Sequence, residues 1–342
     1  MSEYTTRVMI DSGAHSWFNK FHRGSPAGSR LKFYRGTKFK KYLEGYIGFL
    51  LEHREEVSSF VGLDIIGDPK ATYEINKYMR TYGLEPMPVV HYGTSSSWIK
   101  KYLDVTDYIG ISGLGQKARK SRYGTYLKEM FKYIHTDKRK PPSAKVHGFA
   151  MTTPEFIKEY PFYSMDSTTW CKMAGMGQVM IPRIINKNAY EFLEGRNIGI
   201  SSRVANTMRK WHTLRLPEGI VSMIDTYTQE VCGVSVQQAS IDLKARNIIN
   251  IIYYFEMQKQ LKSIYVDKFD WDSGGFIFLV DPIRSYKKLL LQLFRKGKIP
   301  DNTLNCLVSY IDLAAVKSVI RFKNSLADSR IVTRPKLKGG IG

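Results

Sequence analysis

Short apolar runs alternate with helix-like stretches through the first two-thirds of the chain, and each run ends in polar residues or glycine. The six runs are Val8–Ile10, Phe60–Ile66, Met87–Val90, Tyr108–Ile111, Val146–Ala150 and Phe162–Met165. Strands separated by helices are typical of βαβ units, whose strands form a parallel sheet. One intervening helix has clear boundaries, because Asp68 can cap it, Pro69 suits its first position and Gly83 can end it.

This pattern predicts a (β/α)8 barrel of the TIM-barrel type, in which reactive groups collect at the carboxyl ends of the strands. An open doubly wound sheet is the alternative, although the Gly-Leu-Gly motif at 113–115 lacks the third glycine and acidic partner of a dinucleotide site. We predict that the barrel spans residues 1–235 and that a strand near 275–280 can complete it. We predict a mainly helical C-terminal region with a basic tail over residues 236–342, including a long packed helix at Ile241–Leu261.

The chain is strongly basic, with 52 Lys and Arg residues against 31 Asp and Glu residues and a formal net charge of +21. Such an excess favours a polyanionic partner, because neutralising phosphates releases counterions, although a merely soluble basic surface is the alternative. Residues 20–41 hold eight basic residues and no acid, and residues 117–145 hold ten basic residues and two acids. Aromatic residues are interleaved with the first cluster, and rings of this kind can stack on bases. The predicted nucleic-acid-binding residues are Lys32, Arg35, Lys38, Lys117, Arg119, Lys120 and Arg122.

The three cysteines, Cys171, Cys232 and Cys306, are too few and too scattered for a disulfide framework or a cysteine-rich zinc site. Residues 1–13 lack the apolar stretch of a signal peptide, and no run approaches the roughly 18 apolar residues of a membrane span. We therefore expect a cytoplasmic protein with no membrane partner and no metal site.

Asp11 and Asp166 occupy the positions best suited to chemistry. Each directly follows an apolar run and precedes small residues, in DSGA and in DSTTW. One carboxylate at the mouth of a barrel can attack an anomeric carbon while a second moves protons on and off the leaving base. The alternative is that each aspartate only caps the helix that follows it.

Polar residues interrupt or end other apolar runs. Asp64 lies inside VGLDIIGD, where a buried carboxylate needs a partner. It can accept hydrogen bonds from the amino and imino edge of a guanine, or it can form a structural ion pair. His91 and His147 also end predicted strands, and neither position alone distinguishes a functional base from a satisfied polar residue. Trp17 and Trp170 follow the two aspartate motifs, where they can stack on an extruded base or pack in the core.

Taken together, these segments resemble the tRNA-guanine transglycosylase superfamily, and more closely its phage-type branch, which inserts 7-deazaguanines into DNA. The motifs that carry the resemblance lie in order between residues 7 and 171: IDSGAHSWF, GLDIIGDP, PVVHYG, YIGISGLG, KVHGFA and YPFYSMDSTTW. The resemblance implies a (β/α)8 barrel that exchanges guanine for a modified base, such as preQ0, through a covalent glycosyl-enzyme intermediate. It implies DNA and a free 7-deazaguanine base as partners, no other cofactor, and the host cytoplasm as location if the protein is phage-encoded.

The resemblance also implies roles for individual residues. Asp166 matches the nucleophile, and Asp11, in DSGA where the family has DSGG, matches the general acid/base. Asp64 matches the carboxylate that recognises the guanine edge, and His91 stands where the family has a glutamine. The implied base-binding residues are Asp64, His91, Gly113, Leu114, Ser12 and Gly13.

Two departures from the family pattern refine these expectations. The tRNA enzymes hold a structural zinc with three clustered cysteines and a histidine, so we expect no zinc and favour the DNA-acting branch. Only ten residues precede Asp11, whereas the tRNA enzymes have two barrel strands there; Gly177–Ile184 and Gly275–Val280 are candidates to replace them. The alternatives are a tRNA substrate, a base-removing N-glycosidase, and a non-catalytic nucleic-acid-binding barrel.

Overall fold

The computed structural model describes residues 5–21, 36–112, 120–203, 211–280, 303–309, 317, 319–321 and 323. The described strands are β1 (Thr5–Asp11), β2 (Ser59–Phe60), β3 (Val89–His91), β4 (Tyr108–Ser112), β5 (Lys145–Gly148), β6 (Ser164–Ser167), β7 (Gln178–Asn186), β8 (Ala189–Gly199), β9 (Phe276–Val280) and β10 (Thr303–Ser309). The principal helices are α1 (Ala14–Phe21), α2 (Thr37–Glu52), α3 (Pro69–Arg80), α4 (Ser97–Leu103), α5 (Lys120–Ile134), α6 (Pro154–Glu159), α7 (Thr169–Gly175), α8 (Glu218–Glu230), α9 (Val236–Ile241) and α10 (Leu243–Phe269).

Eight of the described strands form one sheet, in the order β2-β1-β10-β9-β6-β5-β4-β3, and every pairing within it is parallel. The predicted α/β class with a parallel sheet is confirmed, and each of the six predicted apolar runs contains or overlaps one of its strands. Because all the strands point the same way, their carboxyl ends lie along one edge. We call this the carboxyl edge of the sheet.

The two outermost strands of the sheet, β2 and β3, are linked by a short contact. Val61, the residue after β2, forms an isolated parallel bridge with Met87, two residues before β3. The backbone N–H of Met87 donates to the carbonyl of Phe60 at 3.0 Å, and the N–H of Gly62 donates to the carbonyl of Met87 at 2.8 Å. Two backbone hydrogen bonds therefore join the segments next to β2 and β3.

Two strands from the C-terminal part of the chain complete the middle of the sheet. β9 lies between β6 and β10, and β10 lies between β9 and β1. The predicted strand near 275–280 is thereby confirmed, whereas β10 was not predicted. The suggestion that Gly177–Ile184 supplies a further strand of the sheet is wrong, because β7 forms an antiparallel hairpin with β8. The sheet therefore crosses the predicted boundary at residue 235.

The sheet is buried on both faces. On one face, alternate residues such as Val8 and Ile10 of β1 pack against the helices in a large apolar core. On the other face lies a second apolar cluster, built around Met9, Val61, Met87, Val89, Phe276 and Phe278. Met9 and Asp11 are two residues apart in β1, so Asp11 shares the face of this second cluster.

Helix boundaries follow the local sequence where the signals are strong. The Asp68 carboxylate caps α3 by accepting the N–H of Ala71 at 2.9 Å, Pro69 takes the first turn, and Gly83 has a left-handed φ of 72° beyond the helix. The predicted long helix is confirmed as α10. Among the described residues, no helix is both long and apolar enough to cross a membrane.

Candidate active site

The carboxyl edge of the sheet brings together four of the predicted site residues. Asp11 ends β1, Asp64 follows β2, His91 ends β3 and Asp166 lies in β6. The three carboxylates are electrostatically coupled, because the charges of Asp64 and Asp166 both raise the pKa of Asp11. The site therefore concentrates negative charge at the strand ends.

The pKa of the Asp11 carboxyl group is raised from 3.8 to about 7. Burial is the largest cause, the charge of Asp64 contributes more than that of Asp166, and backbone hydrogen bonds from Gly13 and Ser12 oppose the rise. The Gly13 N–H donates to Asp11 Oδ1 at 3.3 Å, from a left-handed backbone with φ of 76°. Asp11 thus closes the turn before α1, and it also has the protonation behaviour of a general acid/base near neutral pH.

Ser12 supports this turn from a fully buried position. Its hydroxyl accepts the N–H of Ala14 at 3.4 Å, and its carbonyl accepts the hydroxyl of Tyr42 at 2.7 Å. Trp17 packs edge-on against Tyr42, with 4.7 Å between ring centroids. Ser12 therefore fixes the backbone beside Asp11.

Asp166 is buried, with 7% of its surface exposed, and it does not cap the following helix. α7 has Thr168 as its N-cap residue and no side-chain cap bond. Instead, Asp166 Oδ1 accepts the N–H of Ala150 at 2.5 Å. Ala150 has a φ of 52°, a left-handed conformation that costs energy for a residue other than glycine and that often marks a functional site. In this strained conformation, the Ala150 N–H donates to one oxygen of the carboxylate.

A buried histidine also lies close to Oδ1 of Asp166. His147 Nε2 lies 3.6 Å from Asp166 Oδ1, and its Nδ1 lies 2.6 Å from the hydroxyl oxygen of Ser164. The hydroxyl of Tyr108 lies 2.6 Å from the same Ser164 oxygen. Sequence reasoning did not assign His147 to the site. The signal that could have found it is a polar residue within the apolar run Val146–Ala150.

Asp64 and His91 form a close pair. His91 Nε2 lies 2.6 Å from Asp64 Oδ2, and Asp64 is only 6% exposed. Asp64 thus has the partner that a buried carboxylate needs, and the contact engages its Oδ2. Next to His91, a cavity of about 240 Å³ is lined by residues that include Tyr92, Thr94 and Trp98.

The remaining predicted residues fall into four groups. Lys38 and Arg122 are exposed in the first turns of α2 and α5. Trp170 is 1% exposed and donates its indole N–H to the carbonyl of Val280 at 3.1 Å, so it belongs to the core and not to a base-stacking surface. Lys120 is described only as the first residue of α5. Outside the described residues lie Lys32, Arg35, Gly113, Leu114, Lys117 and Arg119.

Comparisons with protein-family models, with characterised proteins and with solved structures found no match. Within the described part of the chain, no group of three or more His, Cys, Asp or Glu side chains is placed to hold a metal ion. The functional interpretation therefore rests on the site itself.

Proposed function

We propose that the protein is a glycosyltransferase of the pentosyltransferase type, which exchanges guanine in DNA for a 7-deazaguanine base such as preQ0. One observation carries the proposal: Asp166, a buried carboxylate held through one oxygen, shares the carboxyl edge with Asp11, whose pKa is about 7. A nucleophile and a proton-transfer group are the two parts that glycosidic bond exchange requires.

The first step removes guanine. Oδ1 of Asp166 is occupied by the Ala150 N–H, so Oδ2 attacks C1′ of the deoxyribose and forms a glycosyl ester. The bond from C1′ to N9 breaks, and its electron pair goes to the leaving base. Protonated Asp11, or a water molecule that it positions, supplies the proton that guanine takes.

The second step reverses the first with a different base. The incoming 7-deazaguanine occupies the vacated pocket, and ionised Asp11 removes the proton from its ring nitrogen. That nitrogen attacks C1′ and displaces the Asp166 carboxylate. Bonds formed and broken balance across the two steps, and the chemistry needs no redox partner.

Base recognition falls to the Asp64–His91 pair. The Asp64 oxygen that His91 leaves free matches the N–H donors on the guanine edge, and Ser12 and Gly13 shape the neighbouring backbone. The target nucleotide has to leave the base stack, because C1′ cannot otherwise reach a carboxylate buried at the strand ends. The basic surface that includes Lys38 and Arg122 binds the phosphates of the strand.

We also propose that the parallel sheet closes into a (β/α)8 barrel. The bridge between Val61 and Met87 supports closure, because it joins the two outermost strands. The second apolar cluster supports it as well, since residues of β2, β3 and β9 meet there as they would in a barrel interior.

DNA is favoured over tRNA because a structural zinc cluster of the tRNA enzymes has no counterpart in the cysteine pattern. The test is incubation with radiolabelled guanine and either duplex DNA, single-stranded DNA or tRNA. Label entering DNA supports the proposal, and label entering only tRNA reassigns the substrate. Base loss without incorporation of label indicates an N-glycosidase, and binding alone indicates a non-catalytic protein.

A further inference from the structure

A line of polar groups crosses the otherwise apolar face of the sheet and ends at Asp166. It starts at the hydroxyl of Tyr108 in β4, passes through the hydroxyl of Ser164 in β6 and reaches Nδ1 of His147 in β5, with 2.6 Å at both contacts. Nε2 of the same imidazole points towards Asp166 Oδ1 at 3.6 Å. Ser164 and His147 are both fully buried.

Burial raises the pKa of Tyr108, which keeps its hydroxyl protonated, while the hydrogen bond with Ser164 and the nearby charge of Arg7 partly oppose the rise. The guanidinium of Arg7 only donates hydrogen bonds, so it does not accept the proton of Tyr108. We infer that Tyr108 donates to Ser164 and that Ser164 donates to Nδ1 of His147. A neutral imidazole that accepts at Nδ1 carries its proton on Nε2.

The Nε2 proton faces Asp166. Two aromatic rings pack against the imidazole, with the ring centroids of Phe149 and Phe278 4.5 and 6.2 Å away. Nε2 is buried, and within the described residues it has no hydrogen-bond acceptor at normal distance. A buried donor without an acceptor is costly, so a small shift that closes the 3.6 Å gap to Asp166 is favourable.

We propose that His147 is a positioning residue for Asp166, and that Tyr108 and Ser164 set its tautomer. This inference rests on the proposed role of Asp166 as nucleophile. His147 and the Ala150 N–H both address Oδ1, so they hold the carboxylate with Oδ2 turned towards C1′. The same two donors stabilise the carboxylate when the incoming base displaces it in the second step.

The tautomer can be measured without any activity assay. Nitrogen-15 NMR of histidine-labelled protein, with the His147 signals assigned from their loss in His147→Gln, distinguishes a proton on Nε2 from one on Nδ1. We expect a neutral ring protonated on Nε2. A proton on Nδ1 would overturn the inference, because Nδ1 would then donate to Ser164. This result is independent of whether the protein exchanges bases.

Steady-state kinetics of base exchange test the positioning role of His147. Removal of one hydrogen-bond donor to a reacting charge lowers kcat by roughly 10²-fold, so we expect a loss of that order in His147→Leu with KM for DNA unchanged within about twofold. His147→Gln, whose amide can donate, should recover part of kcat. Phe278→Leu is the packing control, because it changes a ring that packs near the imidazole and leaves Tyr108, Ser164 and His147 in place.

Tyr108→Phe keeps the test valid even if the His147 variants do not fold, since it removes one hydroxyl. We expect it to lower kcat several-fold in the wild-type background and to have no further effect in His147→Gln. Tyr163→Phe is the matched control, because Tyr163 packs edge-on against Tyr108 at 5.3 Å and lies outside the polar line. Wild-type kcat in both His147→Leu and Tyr108→Phe would overturn the inference. Absence of exchange in the wild-type protein would instead reject the proposed function.

Discussion

His91 Nε2 lies 2.6 Å from Asp64 Oδ2, and the two side chains come from opposite ends of the strand order, after β2 and at the end of β3. The backbone of His91 has a further contact, because its carbonyl accepts a hydrogen bond from the hydroxyl of Tyr126 at 2.9 Å. The contact of His91 Nε2 with Asp64 engages one oxygen of the carboxylate. In the proposed reaction, the other oxygen accepts the adjacent N–H groups on the edge of guanine.

Asp64→Asn should weaken base recognition more than it weakens the fold. The amide still bonds to His91 but can present an N–H to the donors of the base, and a site left with such a mismatch loses on the order of 10²-fold or more in discrimination. We expect the KM for free guanine to rise by about that factor in the exchange assay. His91→Gln is the control, because the amide N–H of glutamine can still donate to Asp64, and it should change the KM for guanine only a few-fold. Equal KM values for guanine in wild type and Asp64→Asn would remove Asp64 from the base site.

Asp11 should determine the pH dependence of guanine release. The first step needs protonated Asp11, whose pKa is about 7, so kcat/KM for DNA should fall as pH rises through that value. In Asp11→Asn this limb of the profile should disappear, and the rate should drop by roughly 10²- to 10⁴-fold because proton transfer is lost. The measurement is single-turnover base release between about pH 5 and pH 9. A limb near pH 7 that persists in Asp11→Asn would assign the titration to another group.

The same group should make Asp11→Asn more stable than the wild type in alkaline solution. The pKa of Asp11 is raised from 3.8 to about 7 in the folded protein, so the folded state binds more protons than the unfolded state between these values. Stability therefore falls as pH rises through this window and stays lower above it. Asn removes that loss, so its Tm should exceed the wild-type Tm by on the order of 2 °C or more at about pH 8 and should not exceed it at about pH 4. A Tm difference that is independent of pH would contradict the shifted pKa.

Lys38 and Arg122 should contribute to phosphate binding. Each is exposed in the first turn of a helix that leads into the next strand of the sheet, and a helix of this kind starts on the side of the carboxyl edge. In Lys38→Gln combined with Arg122→Gln, the slope of log Kd against log salt should fall by about 2, since each phosphate contact contributes about 0.9. Arg139→Gln is the control, because Arg139 is exposed in the loop between α5 and β5, which leads into the amino end of β5. An equal loss of slope in Arg139→Gln would indicate a diffuse charge effect.

The strands that carry the site could be predicted because each has a recognisable local sequence pattern. A parallel strand buried on both faces is a short apolar run, and the run ends where polar or glycine residues begin. β10 was not predicted because polar residues are interspersed in its sequence, TLNCLVS, even though Pro300-Asp301-Asn302 directly before it is a turn signal. β7 was assigned to the wrong sheet, since an apolar run shows that a strand exists but not which strand it pairs with.

The site was only partly predictable for a similar reason. Asp11, Asp64 and Asp166 stand out because acids are rare in apolar runs. The pairing of Asp64 with His91 and the approach of His147 to Asp166 depend on which strand ends face each other, which is a property of the assembled sheet. Trp170 is the opposite case. Its place in the sequence suggested a site residue, but it is buried and its indole N–H donates to the carbonyl of Val280, so it belongs to the core.

The central claim is that Asp166 forms the covalent intermediate. Wild-type protein should be mixed with a guanine-containing oligodeoxynucleotide, quenched by denaturation, digested and examined by peptide mass spectrometry. We expect a deoxyribosyl ester on the peptide that contains Asp166, and neither the adduct nor incorporation of labelled guanine in Asp166→Ala, which should still bind the oligonucleotide within a few-fold of wild type. An adduct on another residue, or labelled guanine incorporated by Asp166→Ala, would contradict it.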